Sequence, residues 1–126
     1  MPPLLTSLGL ISLALAGLSG WLVLAITEKP QWFLSRGISA PRRFLQLHLD
    51  WVMMGLILIA VDQAVPERPA FITAMVAFGT MVNPLLFIPV AWGPGAKENP
   101  VYKVVVGISF LSLSIGLPAL AIHALV

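Results

Sequence analysis

Four apolar stretches, each near the roughly 20 residues that an α-helix needs to cross the hydrocarbon layer, take up nearly all of a 126-residue chain. Uncharged windows run from Leu4 to Thr27, from Trp51 to Val61 with an extension back to about Pro41, from Ala70 to Ala96, and from Val104 to Val126. Four spans leave no room for a separate soluble domain. The expected fold is therefore all-α: an integral membrane four-helix bundle forming one transmembrane domain over 1–126, with helices at about 4–27, 41–62, 69–92 and 101–125. Hydrophobic residues make up 59% of the chain and charged residues 10%, which excludes an ordinary soluble domain.

The first window has no basic residue before it and is longer than a signal-peptide core, so it is expected to remain as a helix. With no cysteine, neither a disulfide framework nor a thiolate metal site is available. The net charge of +2 has no contiguous basic arm or aromatic-laced patch behind it, so nucleic acid is not an expected partner. The positive charges are instead sorted by loop. Lys29, Arg36, Arg42 and Arg43 lie between the first two spans and Lys97 and Lys103 between the last two, whereas the Asp62–Arg68 turn carries a single Arg beside Asp62 and Glu67. The positive-inside rule then places the first and third loops in the cytoplasm, and the expected location is a bacterial inner membrane.

Local signals set the boundaries. Pro41 is expected near the first position of the second helix, with Pro69 and Pro100 doing the same for the third and fourth. Trp21, Trp32 and Trp92 fall near the interfaces, as an aromatic belt would have them, and Trp51 is deeper. Pro84, Pro89 and Pro118 sit inside spans, where bends are expected. Ser12, Ala16 and Gly20 form a small-residue ridge on the first helix, and Ser112 with Gly116 a shorter one on the fourth, both permitting close helix contact. The loop lengths suit two hairpins of two helices each.

Chemistry has few polar groups to draw on. A helix beginning near Pro41 carries His48 about 10 Å along its axis, into the edge of the apolar layer. Intramembrane ionisable groups are costly and point to function by default. At 100° per residue His48 shares a face with Phe44, Leu45, Trp51, Val52 and Gly55, while Asp50 points away with Gln46, Met54 and Ile57, so the two should not form a hydrogen-bonded dyad. The surround of Phe44, Trp51 and Val52, with Gly55 opening space, suits a flat, bulky ligand such as haem, held by one axial imidazole. The alternative is a structural histidine hydrogen-bonded to another helix. Asp50 either fixes packing, with Arg43 or a neighbouring subunit's arginine as its partner, or serves as a proton relay or substrate anchor. Asn83 and Thr80 lie mid-span beside Pro84, where the amide either satisfies freed backbone or points into a cavity. His123, near the end of the last helix, reads as an interfacial residue, with a second haem ligand as the alternative.

The segment SRGISAPRRFLQLHLDWVMMGLILIAV, Ser35 to Val61, resembles the stretch around the histidine of the small four-helix membrane isomerases, the family of the styrene oxide isomerases and hydroxylaminobenzene mutases. The mutases carry an HLEGVMNG-like stretch against HLDWVMMG here, and FGTMVNPLLF resembles their GTxxN segment. The likeness covers roughly Ser35 to Gly93 and is weaker in the last helix. It implies haem b with His48 as the iron ligand, placed between subunits of a homo-oligomer, with a trimer favoured. It also implies an isomerase in which iron acts as a Lewis acid on a small apolar substrate, an epoxide or an arylhydroxylamine, drawn from the lipid bilayer. Asn83 and Thr80 would hold the leaving or migrating oxygen, and Asp50, where the mutases have glutamate, would move a proton if a neighbouring subunit's site faces it. Met54 stands where the family has asparagine and Phe87 where the styrene enzyme has tyrosine, so styrene oxide itself is not assigned. Two other classes compete. A haem-binding electron-transfer or sensor subunit would want His123 as a second axial ligand, and a small transporter would use Asp50 as its coupling carboxylate.

Overall fold

A computed structural model describes residues 2–126, and among them it has helices and connecting turns but no strand. In chain order the elements are α1 (Leu4–Glu28), a short α2 (Pro30–Leu34), α3 (Arg43–Ala64), α4 (Ala70–Leu85), α5 (Phe87–Trp92), a 3-10 turn (Pro94–Glu98) and α6 (Pro100–Leu125). Four helical segments are long and apolar enough to cross a membrane: Leu4–Glu28, Arg43–Ala64, Ala70–Trp92 and Pro100–Leu125. The protein is thus a membrane protein with four transmembrane segments. The most extensive packing joins α1 to α3 and α4 to α6, with α3 and α4 linking the two hairpins.

In lipid the tails are as apolar as the side chains, so helices are held by close packing and polar contacts more than by a hydrophobic drive. The sequence answers with small residues. On α1 the buried positions Leu5, Gly9, Ser12, Ala16 and Ser19 recur at steps of three and four, and Ile26 follows seven residues on, the spacing of a packed seam. A Cβ added to Gly9 would lie 2.7 Å from the Gly55 carbonyl oxygen, and one on Gly55 would lie 2.9 Å from that of Gly9. The two backbones touch there. Ser12 and Ala16 of the expected ridge lie on this seam, which continues through Ser19 and not through Gly20, a half-buried neighbour. On α6 the contact is made by Ser109 and Gly116, with Ser112 only half-buried, and Gly79 of α4 faces Leu113 closely enough that an added Cβ would lie 2.5 Å from its Cγ.

The prolines act unequally. Pro41 lies in the turn before α3, which starts at Arg43, and Pro69 is the residue before α4 and not its first. Pro100 does open α6, where the Asn99 side chain accepts from the Val101 and Tyr102 amides. The third span breaks between Leu85 and Phe87, one residue past Pro84, and the Tyr102 hydroxyl donates to the Leu86 carbonyl at 2.9 Å. Pro89 sits in the first turn of α5, where its missing N–H costs little. Helix α6 runs unbroken through Pro118.

The first loop contains a helix that apolar windows do not announce. Pro30 begins α2, and its end is a Schellman motif: Ile38 N–H donates to the Phe33 carbonyl and Gly37 N–H to that of Leu34. Gly37 has φ of 85°, a left-handed conformation that glycine adopts without strain. Ile38 then packs with Phe33, Ile26, Phe44, Leu47 and Ala91, the core at the basic end of the bundle. At the far end a second core gathers Leu5, Leu58, Val61, Ile72, Val76 and Leu120. The sparse polar side chains of α3 and α4 lie between and beside these two cores.

Candidate functional site

Helix α3 carries His48 and Asp50 to different neighbours. His48 Nδ1 lies 3.0 Å from Ser19 Oγ on α1, and a Cβ added to Gly20 would be 3.7 Å from the imidazole Cε1. Asp50 Oδ2 accepts from Asn83 Nδ2 on α4 at 2.8 Å. Two residues of helix turn side chains about 200° apart, and the two partners on opposite sides of α3 express that angle. His48 and Asp50 are not a dyad within one chain.

Ser19 Oγ also lies 3.1 Å from the Ala16 carbonyl, to which a hydroxyl can only donate. A hydroxyl has one proton. With that proton on Ala16 O, Ser19 would accept from Nδ1–H, and a neutral ring would then carry its lone pair on Nε2. Among the described residues Nε2 has no hydrogen-bond partner, and it is not among the enclosed unsatisfied atoms, so it opens outward from the α1/α3 seam. An imidazole pinned at Nδ1 with a free Nε2 lone pair is the arrangement of a metal-ligating histidine and its supporting hydrogen bond. Sequence reasoning missed Ser19. The signal was its place on the small-residue seam, three residues after Ala16.

The expected surround of His48 is rearranged. Gly55 does not open space, because Leu13 and the Gly9 carbonyl of α1 fill the position in front of it: a Cβ there would lie 3.0 Å from Leu13 Cγ. Phe44 is buried in the basic-end core and meets Trp92 edge to face at 5.8 Å. Trp51 packs against that same core, alongside Phe87 and Ile88, and Val52 is half-buried. Of the expected surround, Phe44 and Trp51 thus belong to the basic-end core, and Gly55 to the contact with α1. Toward the basic end, between α1, α2 and the start of α3, lies an apolar groove of about 260 Å³ whose walls include Val23, Ile26, Pro30, Leu34 and Leu45, with Arg42 at its margin and neither His48 nor Ser19 among them.

The other expected residues divide. Asp50 and Asn83 are brought together, and the Asn83 amide donates to that carboxylate and not to freed backbone. Arg43 does not reach Asp50: its guanidinium donates to Gln46 at 2.8 Å, three residues along the same helix. Thr80 is fully buried, and its hydroxyl lies within hydrogen-bond distance of the Val76 and Ala77 carbonyls, at 2.6 and 3.2 Å, so its proton is engaged by its own helix. His123 is exposed beside the α3–α4 turn, with Nε2 3.0 Å from the Glu67 carbonyl. From His48 to the end of α3 is about 24 Å at 1.5 Å per residue, so the two histidines of one chain cannot share an iron. Among the described residues no group of three or more His, Asp or Glu side chains forms a metal cage.

Comparison with known proteins finds no matching family model, no similar curated protein and no similar solved structure.

Proposed function

We propose that the protein is a haem b-dependent membrane isomerase that rearranges a small apolar epoxide or arylhydroxylamine within a homo-oligomer, a trimer by preference, of a bacterial inner membrane. The observation that carries this reading is the His48 imidazole, within hydrogen-bond distance of Ser19 through Nδ1 and with Nε2 unpartnered among the described residues. The groove of about 260 Å³ toward the basic end is smaller than the ~300–1,000 Å³ of ordinary ligand pockets and is not lined by His48, so a second subunit would have to supply the walls around the imidazole. A haem held by His48 would supply Lewis-acid chemistry when bound.

The chain's own residues would then hold and orient. Ser19 fixes the ring, and Val23 and Leu45 give an apolar approach from lipid that excludes water. Arg42 at the groove margin offers a cation to a carboxylate of the bound group. Asp50 accepts from Asn83 through Oδ2, which leaves Oδ1 to take or give a proton at a neighbouring subunit's site. The electron-transfer alternative would need a second ligand from another chain, since His123 is out of reach.

An absorption spectrum of the detergent-purified protein tests the cofactor. A Soret band is expected, and His48→Ala should abolish it while leaving the oligomer intact; an unchanged spectrum in that variant overturns the assignment. Anaerobic product analysis with epoxides and arylhydroxylamines then tests the reaction. Haem present with no isomerised product from either class would reject the isomerase.

A further inference from the structure

The corner between α1 and α2 builds a second groove, away from His48. Its volume is about 530 Å³, and its walls include Trp21, Leu24, Glu28, Lys29, Trp32 and Phe33. Trp21 is 74% exposed and Trp32 49%, so the groove opens on the outer face of the bundle, at its basic end. The Trp32 ring is held: the Arg36 guanidinium carbon sits 3.8 Å from its centroid, and Phe33 meets it edge to face at 5.0 Å.

Glu28 and Lys29 stand side by side at the polar end of this groove, yet neither has an ion-pair partner; the ion pairs among the described residues are Asp62–Arg68 and Glu98–Lys103. A free carboxylate, a free ammonium and the nearby Arg36 sit above an apolar wall that runs about 10 Å along α1 from Trp21 to Glu28. The complement of that pattern is a molecule with an anion, a hydrogen-bonding cation and a hydrocarbon chain.

We infer that this groove binds one phospholipid with a primary-amine headgroup, phosphatidylethanolamine. Its phosphate meets Lys29, its ammonium donates to Glu28, and an acyl chain lies along Leu24 and Trp21. A quaternary ammonium has no N–H for Glu28 and prefers an aromatic face, one of which on Trp32 is already covered by Arg36. An anionic headgroup with no amine would leave Glu28 unpaired beside added negative charge.

Native mass spectrometry of the intact oligomer, titrated with ethanolamine, choline and glycerol phospholipids of matched chains, tests this. The wild-type protein should retain the ethanolamine lipid about tenfold more tightly than the other two, the effect of one charge-assisted hydrogen bond. Glu28→Gln should remove that preference, Lys29→Gln should weaken all three, and Gly17→Ala, at a position with nothing within 4 Å, should change nothing. Equal retention of ethanolamine and choline lipids by the wild type, a preference for the glycerol lipid, or an ethanolamine preference that survives Glu28→Gln would each overturn the inference. The wild-type comparison decides the matter even if a variant fails to fold.

Discussion

Helix α3 carries polar groups at both ends, and they are treated in opposite ways. At its C-terminal end Asp62 and Arg68 form a buried pair with side chains 2% and 7% exposed. Every nitrogen of that guanidinium is engaged: Nη2 by Asp62, Nε by Thr73 Oγ1 at 2.9 Å and Nη1 by the Val65 carbonyl at 2.8 Å. The second Asp62 oxygen accepts from the Thr6 amide, an otherwise unpaired donor in the first turn of α1, whose own start at Pro3 has no side-chain cap. One carboxylate and one guanidinium thereby tie α1, α3, the following turn and α4 together. Near the other end His48 and Asp50 make one side-chain hydrogen bond each, and among the described residues Nε2 and Oδ1 have no partner. A saturated network fixes a fold, whereas polar groups that retain free valences inside a membrane are available to a ligand or a proton.

The comparison is broken most severely at its saturated end. Removing one member of a buried, hydrogen-bonded ion pair strands the other charge and costs about 3–5 kcal/mol. Arg68→Met should therefore lower the unfolding midpoint in detergent far more than His48→Ala does, and the double replacement Asp62→Leu with Arg68→Met should recover part of the loss. Equal destabilisation by Arg68→Met and His48→Ala, read by thermal unfolding of matched preparations, would erase the distinction between the two ends.

How far the sequence foretold this difference depends on whether the information is local. The four spans were legible because length and apolar composition are properties of each segment. The divergence of His48 from Asp50 was legible because it needs only the helical repeat. Partners were not. Ser19 is 29 residues from His48 and Asn83 is 33 from Asp50, and no helical wheel states which neighbour covers which face. Gly55 shows the same limit, since a glycine marks a gap in the side-chain surface but not whether a ligand or another backbone fills it. Arg43 looked available to Asp50 from its place on the face, yet Gln46 was nearer along the chain. The Asp62–Arg68 network was invisible for a related reason: in sequence it is a short charged turn, and its importance comes from Thr6 and Thr73 arriving from other helices.

A middle-sized effect is expected at Ser19, where the comparison is sharpened. Ser19→Ala removes the acceptor for Nδ1–H without removing the imidazole, and loss of such supporting contacts typically weakens metal binding about 10–100-fold. The variant should load haem less tightly and with a shifted Soret band, while its unfolding midpoint stays close to the wild-type value. Ser19→Thr, which keeps a hydroxyl, should restore the band. A fall in stability with unchanged cofactor affinity would make Ser19–His48 a packing contact like those at the saturated end.

The smallest effect belongs to Asp50 and Asn83. Side-chain hydrogen bonds between membrane helices average about 0.6 kcal/mol, because the separated helices find other partners in their place. Asn83→Leu should therefore cost little stability, and Asp50→Asn, which keeps an oxygen to accept from the Asn83 amide, should cost less still. The two replacements separate by chemistry. Asp50→Asn removes the only carboxylate of this pair and with it any proton carried at Oδ1, so catalytic turnover should fall while haem absorption and oligomer size remain. Asn83→Leu leaves that carboxylate and frees both oxygens, so turnover should be changed less than by Asp50→Asn and its pH dependence should move. If Asp50→Asn instead dissociates the oligomer, its carboxylate is an intersubunit packing group, and the proton role assigned to Oδ1 fails.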